Sequence, residues 1–399
     1  MNETYIVYAK RTPMGKIGGM LSNIRIDDLL SLVIKDFVDF SSFDLQEIDD
    51  VLIGCANQAG EDNRNLARMA SILGGLPFDI PGTTINRLCA SSLDAFLNAH
   101  ARIKSGLAEC ILVGGAESMT RAPYVLSKSN KGYDRNQKIY DTSFGWRFPN
   151  PKMEKLFPLL GMGQTAEEIA KRFKISREEQ DKFALESHKK AVLAYQNKQF
   201  NDEIVPVEII NKKSSQIMTK DECIREDTSM EALSKLRPVF KKDGSVTAGN
   251  SSPMNDGASL ALVVSGNFLK THQLRPMIKI TGGAVRGVHP NTMGLGPISS
   301  TELLCKKTNQ KIDNFDIIEL NEAFAIQSLA CIEKLNIDPK KVNLNGGAIA
   351  LGHPLGSSGC RIMTTLTHQM SKNPKLKQGL ATMCVGVGQG MSISVENCQ

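Results

Sequence analysis

Two cysteines and one histidine sit in turns rich in glycine or other small residues beside apolar runs. The segments are Asn86-Arg87-Leu88-Cys89-Ala90-Ser91-Ser92, Gly352-His353-Pro354-Leu355-Gly356 and Cys384-Val385-Gly386-Val387-Gly388. A thiolate can carry an acyl group, an imidazole can take the proton that frees it, and a second thiol can move a proton to or from carbon. Cys89 follows a strand-like run, Thr83–Ile85, and opens a helix. There the positive end of the helix dipole favours thiolate. Glycines on both sides of His353 expose an imidazole that could deprotonate Cys89 and then donate to a developing oxyanion. The same stretch lacks the GxxxxGK[ST] order of a phosphate loop. The glycines after Cys384 leave backbone N–H groups open for an oxyanion hole. Each feature has a plainer reading: a small buried cysteine, a structural histidine, a strand end with a glycine turn.

These residues need elements to hold them. Val51–Ile53, Thr83–Ile85, Ile111–Val113, Ile317–Ile318, Val342–Leu344 and Leu380–Cys384 read as strands. Leu93, Phe96, Leu97 and Ile103 share one helical face that stops at Gly106. Asp49-Asp50-Val51-Leu52-Ile53 echoes Asp316-Ile317-Ile318, and Ile111-Leu112-Val113-Gly114-Gly115 lies after Cys89 much as Cys384-Val385-Gly386 lies after His353. Two related α/β halves are the expected organisation. Between them Arg121–Lys242 differs. It holds the only Trp (Trp146), a Pro/aromatic stretch (Tyr140–Pro158) and one charged helical pattern (Thr165–Gln199). The chain then returns to an apolar strand within Ser245–Val264.

A length of 399 residues with 41% apolar content can bury a sizeable core. The net charge of +6 is weak, and no basic run is interleaved with aromatics, so nucleic acid is not an expected partner. The nine cysteines are odd in number, scattered and without a CxxC pair. That argues against a disulfide framework and a zinc cluster. No apolar run reaches the length of about 18 residues that a membrane span needs. Met1–Arg11 lacks the apolar core of a signal peptide, and the C-terminal Glu396-Asn397-Cys398-Gln399 is no peroxisomal address. A cytoplasmic protein is expected.

Asn321-Glu322-Ala323-Phe324-Ala325 joins the three chemical segments. So do Arg11-Thr12-Pro13, Gly115-Ala116-Glu117-Ser118-Met119, Ala248-Gly249-Asn250-Ser251-Ser252 and Asn255-Asp256-Gly257-Ala258. In this order, over nearly the whole chain, the set resembles the thiolase family. The resemblance implies two similar βαβαβαββ halves in a five-layered α-β-α-β-α core with an inserted loop domain. The N-terminal half would comprise residues 1–120 and 245–268, the loop domain that binds coenzyme A 121–244, and the C-terminal half 269–399. It implies an acyltransferase that cleaves 3-ketoacyl-coenzyme A thiolytically, or makes it by Claisen condensation, through an acyl-Cys89 intermediate. His353 would be the base at Cys89, and Cys384 the acid and base at carbon. Asn321 would hold a water that forms one oxyanion hole with His353. The N–H groups of Cys89 and Gly386 would form the other. Arg225 and Ser252 would help hold coenzyme A, a cosubstrate. No permanent cofactor and no metal are implied. The assembly would be a homodimer or homotetramer.

Two departures bear on this reading. The family usually has glycine where this chain has Ser92, at a tightly packed helix start. Short-chain biosynthetic members carry a histidine before Met-Gly in the loop domain, where this chain has Gly161 before Met162-Gly163. Tyr140–Phe148 also looks more like degradative members, including those acting on 3-oxoadipyl-coenzyme A. The expected substrate is therefore a degradative 3-ketoacyl thioester, the alternative an acetoacetyl-specific biosynthetic enzyme. Further alternatives are a carrier-protein condensing enzyme, a cysteine hydrolase built from Cys89, His353 and Asn321, and a non-catalytic acyl-coenzyme A binding protein. None of these gives Cys384 a task.

Overall fold

The computed structural model describes residues 2–129, 131–211 and 214–399. Among the described residues ten strands build the central sheet, nine of them along one path: β1 (Thr4–Arg11), β2 (Asp50–Gly54), β3 (Gly82–Ile85), β4 (Cys110–Ser118), β5 (Asn255–Ser265), β6 (Ile278–Gly287), β7 (Ile317–Leu320), β8 (Gln378–Val385) and β9 (Gln389–Asn397). Their order across the sheet is β7-β8-β9-β6-β1-β5-β4-β2-β3, with Gly15–Lys16 beside β5. β2 runs parallel to β3 and β4, and β5 is antiparallel to β4 and β1. The other half repeats the scheme. β7 runs parallel to β8, and β9 is antiparallel to β8 and β6. The halves meet where β1 and β6 pair antiparallel through Thr4–Ile6.

The echo between the two halves is physical. The Asp49 carboxylate accepts the N–H groups of Glu109 and Cys110 at 2.7 and 3.0 Å, where β4 begins. The Asp316 carboxylate accepts those of Lys377 and Gln378 at 2.7 and 3.0 Å, where β8 begins. Each aspartate thus satisfies the first donors of the neighbouring parallel strand, which fixes its register.

Eight helices position the site: α1 (Ile26–Phe40), α2 (Leu66–Leu73), α3 (Ser91–Lys104), α4 (Met162–Phe173), α5 (Arg177–Gln196), α6 (Gly296–Thr308), α7 (Ala325–Lys334) and α8 (Leu355–Lys372). α1 is amphipathic. Ile26, Leu29, Leu30, Val33, Ile34 and Phe37 recur at helical spacing and are buried against β4 and β5. α1 and α2 cover the outer face of the first half-sheet, and α6 and α7 that of the second. α3 and α8 pack on each other between the half-sheets. The elements therefore stack in five layers, α-β-α-β-α, with the central helix pair packed on both half-sheets, as the resemblance implies.

The central helices approach closely. A Cβ on Gly359 would fall 2.3 Å from the Leu93 nitrogen. Ser92 fits because Gly54 and Gly115 face it without side chains; a Cβ on Gly115 would lie 2.7 Å from that of Ser92. Its hydroxyl accepts the Cys360 N–H at 2.8 Å, so the residue that departs from the family pattern ties α3 to α8.

One expectation needs correction. Val342–Leu344 is not a strand but a single parallel bridge from Val342 to Ile318, at the place that β3 occupies in the other half. Asn343 has φ +46°, which turns the chain away. Its side-chain amide then accepts the Leu320 N–H at 2.9 Å and donates to the Leu320 carbonyl at 2.8 Å, replacing the ladder. The charged pattern of Thr165–Gln199 is two helices, α4 and α5. They break at Lys174 (φ +55°), after which Ser176 and Glu179 form a capping box.

α4 and α5 belong to an excursion between β4 and β5 that also carries the hairpins Tyr124–Leu126/Ile139–Asp141 and Val207–Asn211/Ser214–Met218. Arg11 pins it to β1. The buried guanidinium pairs with Glu203 at 2.7 Å and with both Asp221 oxygens at 2.7 and 3.0 Å. Breaking such a buried pair typically costs about 3–5 kcal/mol. Arg11-Thr12-Pro13 is thus a structural clasp. Among the described residues no helix is long and apolar enough to cross a membrane.

Candidate active site

Cys89 lies in the turn between β3 and α3, two residues before the helix begins. The turn is strained. Leu88 adopts φ +47°, a region that a branched apolar residue rarely visits. Its surroundings hold it there. Asn86 accepts the Leu88 N–H at 2.9 Å and donates to the Ala56 carbonyl at 3.0 Å. Ser91 accepts the Arg87 N–H at 2.9 Å and donates to the Leu88 carbonyl at 2.6 Å. Arg87 is anchored on Asp94 at 3.0 Å. Asn86, Ser91 and Arg87 therefore hold the turn that presents the sulfur.

His353 occupies the equivalent place in the other half, just before α8. Asn255 accepts its backbone N–H at 2.9 Å. Its Nδ1 lies 2.6 Å from the Ser358 hydroxyl, which itself donates to the Pro354 carbonyl at 2.8 Å. Ser358 has one proton and has spent it, so it accepts from Nδ1–H. The imidazole is then the Nδ1–H tautomer, with the Nε2 lone pair unoccupied. The Asn321 amide nitrogen stands 3.4 Å from Nδ1, and Arg361 holds its oxygen at 3.4 Å.

Cys89, His353, Cys384, Gly386 and Ser252 line one cavity of about 480 Å³. Asn321 is fully buried behind His353 and does not line it. Ser252 donates to the Ala323 carbonyl at 3.1 Å, which ties its loop to the Asn321–Phe324 turn. Arg225 is exposed and outside the cavity, and its backbone N–H donates to His188 at 3.2 Å. A surface groove of about 530 Å³ between α5 and residues 339–343 contains neither cysteine nor histidine from the site.

Burial outweighs the helix dipole at Cys89. Desolvation pushes the thiol up to about 11, although the Gly386 N–H donates to the sulfur and opposes the rise. The Cys384 thiol is held well above its ordinary range, first by burial and then by Cys89. Burial, aided by Arg361, drives His353 down to about 3. The resting pair is thus a neutral thiol and a neutral imidazole. The thiolate that the helix dipole favours is not what burial favours here. The Gly386 N–H already points at the sulfur, where an oxyanion on an attached carbon would form.

Several residues escaped sequence reasoning. Glu117 accepts the N–H groups of Ala56, Asn57 and Gly356 at 2.9, 3.2 and 2.8 Å, fastening the cavity wall. Glu322 accepts from Ser187, Asn343 and the Ile349 N–H at 2.7, 2.8 and 3.1 Å, holding the loop that leads to His353. Ser358 lay in view, five residues after His353, but serine spacing alone names no partner. Arg147 is a cavity residue within Tyr140–Phe148, a stretch marked as a whole although nothing in it singled out the arginine.

Residues 4–267 match the family description "Thiolase, N-terminal domain" and residues 274–397 match "Thiolase, C-terminal domain". The chain is 48% identical to a β-ketoadipyl-CoA thiolase of Pseudomonas putida, over 99% of this chain and 100% of that one. It is 44% identical to the 3-oxoadipyl-CoA/3-oxo-5,6-dehydrosuberyl-CoA thiolase of Escherichia coli K12, over 99% and 100%. The acetyl-CoA acetyltransferase of Bacillus anthracis superposes with a TM-score of 0.93 at 36% identity, covering 100% of this chain and 99% of that one. The chain belongs to the thiolase family and is an acyltransferase with coenzyme A as its cosubstrate.

Proposed function

We propose that Cys89 carries the acyl group, that His353 and Cys384 handle its protons, and that the substrate is a degradative 3-oxoacyl-coenzyme A of six carbons or more. His353 Nε2 takes the Cys89 proton as the sulfur attacks the 3-oxo carbon. The oxyanion settles against the N–H groups of Cys89 and Gly386. The C2–C3 bond breaks, and its electron pair forms the enolate of acetyl-coenzyme A, facing His353 and a water held by Asn321. Cys384 protonates C2. Free coenzyme A then gives its thiol proton to the Cys384 thiolate and attacks the acyl-Cys89 carbonyl. Cys89 departs and recovers its proton from His353. Raised thiol pKa values suit this sequence, because neither sulfur needs to stay ionised between steps.

The observation that carries the substrate reading is Gly161. It lies on the cavity wall, and a Cβ there would meet nothing nearer than the Gln164 side chain at 3.6 Å. The space that a histidine would fill is open. Residues 142–147 bound it from the far side, with the Trp146 indole N–H donating to the Leu160 carbonyl at 3.0 Å. Met119, Met162, Met254 and Met293 supply an adaptable apolar lining. The β-ketoadipyl-CoA named for the Pseudomonas relative is a six-carbon 3-oxoacyl thioester, which supports this length.

Ser252 would face the pantetheine arm. Arg225, outside the cavity, would meet the nucleotide end. The division into residues 1–120 with 245–268, 121–244 and 269–399 belongs to the same reading, as do a homodimer or homotetramer and a cytoplasmic location. The test is thiolysis against a ladder of 3-oxoacyl chain lengths. Six-carbon and longer thioesters should match or exceed acetoacetyl-coenzyme A, each buried methylene contributing about 0.8 kcal/mol. Activity confined to the four-carbon thioester would establish the acetoacetyl-specific alternative instead.

A further inference from the structure

The cavity wall contains one cation. Of its lining residues only Glu117 and Arg147 carry formal charges at neutral pH. Three backbone N–H groups already occupy the Glu117 carboxylate. Arg147 is different. Its Nη1 donates to the Asn57 side-chain oxygen at 2.5 Å and its Nη2 to the Asn57 carbonyl at 2.6 Å. Both partners are neutral, and no carboxylate among the described residues pairs with it. A guanidinium has five N–H donors; two are on Asn57, which leaves three.

The fork is also held in place. The Asn57 N–H donates to Glu117 at 3.2 Å, and the Asn57 amide donates to Thr142 at 3.2 Å, whose hydroxyl donates to the Pro123 carbonyl at 2.6 Å. The apolar lining around it cannot recognise charge. An unbranched hydrocarbon acyl chain would gain nothing from a fixed, half-buried guanidinium and would have to displace its water. A carboxylate at the far end of the acyl chain would gain a charge-assisted, geometrically matched partner.

We propose that Arg147 selects 3-oxoacyl thioesters whose chain ends in a carboxylate, gripping that distal carboxylate while Cys89 attacks the 3-oxo carbon. Arg147 is then a specificity residue. The same grip persists in the acyl-enzyme, because the carboxylate stays on the fragment bound to Cys89 after acetyl-coenzyme A leaves. The assignment rests on the thiolysis reading above and adds the chemistry at the far end of the chain.

The test pairs two six-carbon substrates that differ only at the terminus, 3-oxoadipyl-coenzyme A and 3-oxohexanoyl-coenzyme A, with the wild type, Arg147→Met and Arg147→Lys. The wild type should prefer 3-oxoadipyl-coenzyme A. Arg147→Met should lower kcat/KM for it on the order of 10²-fold, the worth of hydrogen bonds to a charged group, while 3-oxohexanoyl-coenzyme A is turned over as well or better. Arg147→Lys should fall between, since it keeps charge but loses the fork. Acetyl exchange between coenzyme A and Cys89, which involves no distal carboxylate, should fall far less than 3-oxoadipyl-coenzyme A turnover in both variants and reports whether the rest of the site is intact. Equal losses on both substrates would make Arg147 a wall support and overturn the proposal. A preference for the diacid that survives Arg147→Met would overturn the assignment to Arg147 and leave the six-carbon reading standing. A wild type indifferent to the carboxylate would refute carboxylate selection, and one inactive on both substrates would refute the reading beneath it.

Discussion

Cys384→Ser should still exchange acetyl between coenzyme A and Cys89 at a substantial rate while losing thiolysis and condensation on the order of 10²–10⁴-fold. Acetyl exchange needs the nucleophile, an oxyanion hole and His353, which takes the Cys89 proton and returns it to the departing coenzyme A; no carbon is protonated, so no Cys384 thiolate arises, and all three groups survive. Only the steps that make or break a carbon–carbon bond need a proton moved at C2. Serine keeps the volume but is far too weak an acid for that task. The contrast matters because Cys384 is buried beside Cys89 and Cys331, so a packing role is the competing explanation. Following exchange of labelled coenzyme A alongside loss of the 3-oxoacyl chromophore separates the two. Equal loss of both activities would make Cys384 a structural residue.

His353→Ala should fail in both half-reactions, again on the order of 10²–10⁴-fold, because the resting Cys89 thiol is not ionised. With burial holding it up at about 11, the thiol stays protonated through neutral pH. His353, driven down to about 3, is neutral over the same range. The sign of each shift sets the expected pH dependence. Alkylation of Cys89 in the free protein by a small uncharged reagent should climb about tenfold per pH unit above neutrality, since the thiolate is the reactive form. It should show no plateau near pH 6. A plateau there would reveal a standing thiolate–imidazolium pair. Ser358→Ala should depress both half-reactions less than His353→Ala, because it removes only the acceptor that fixes the Nδ1–H tautomer.

Much of the site was legible because its chemistry is local. Cys89 announces itself by small residues, and His353 and Cys384 by glycines, each with an adjoining apolar run. What joins them is not local. Ser358 fixes the tautomer of His353 only because Pro354 takes its proton, and Glu117 closes the wall by reaching residues about sixty positions upstream and far downstream. Arg147 sits in an irregular stretch without periodicity, so its meaning depends on which cavity it faces. The dipole argument at Cys89 erred for a related reason. Helix position can be read along the chain, whereas desolvation depends on everything packed around the sulfur.

The fold divides in the same way. β2, β4, β7 and β8 each contain a short apolar run, such as Val51–Ile53 and Ile111–Val113, in a strand that is buried on both faces almost throughout, and these runs are visible without context. α8 was not visible. It is almost wholly buried between the half-sheets; Ile362, Met363, Leu366 and Met370 fall at helical spacing, but Gly356–Gly359 and the polar residues between them, buried all round, disguise a helix that starts at Leu355. The repeat was glimpsed through Asp49 and Asp316. Why those aspartates recur became clear only with their paired N–H groups.

The acyl-enzyme is the central claim, and trapping it tests that claim most directly. The protein is incubated with acetyl-coenzyme A alone, quenched in acid, digested and analysed by mass spectrometry. A single acetyl group should be found on the peptide containing Cys89, and it should disappear when excess coenzyme A is added before the quench. An acetyl group found only on Cys384 or Cys360, or none at all in a protein that performs thiolysis, would contradict the account.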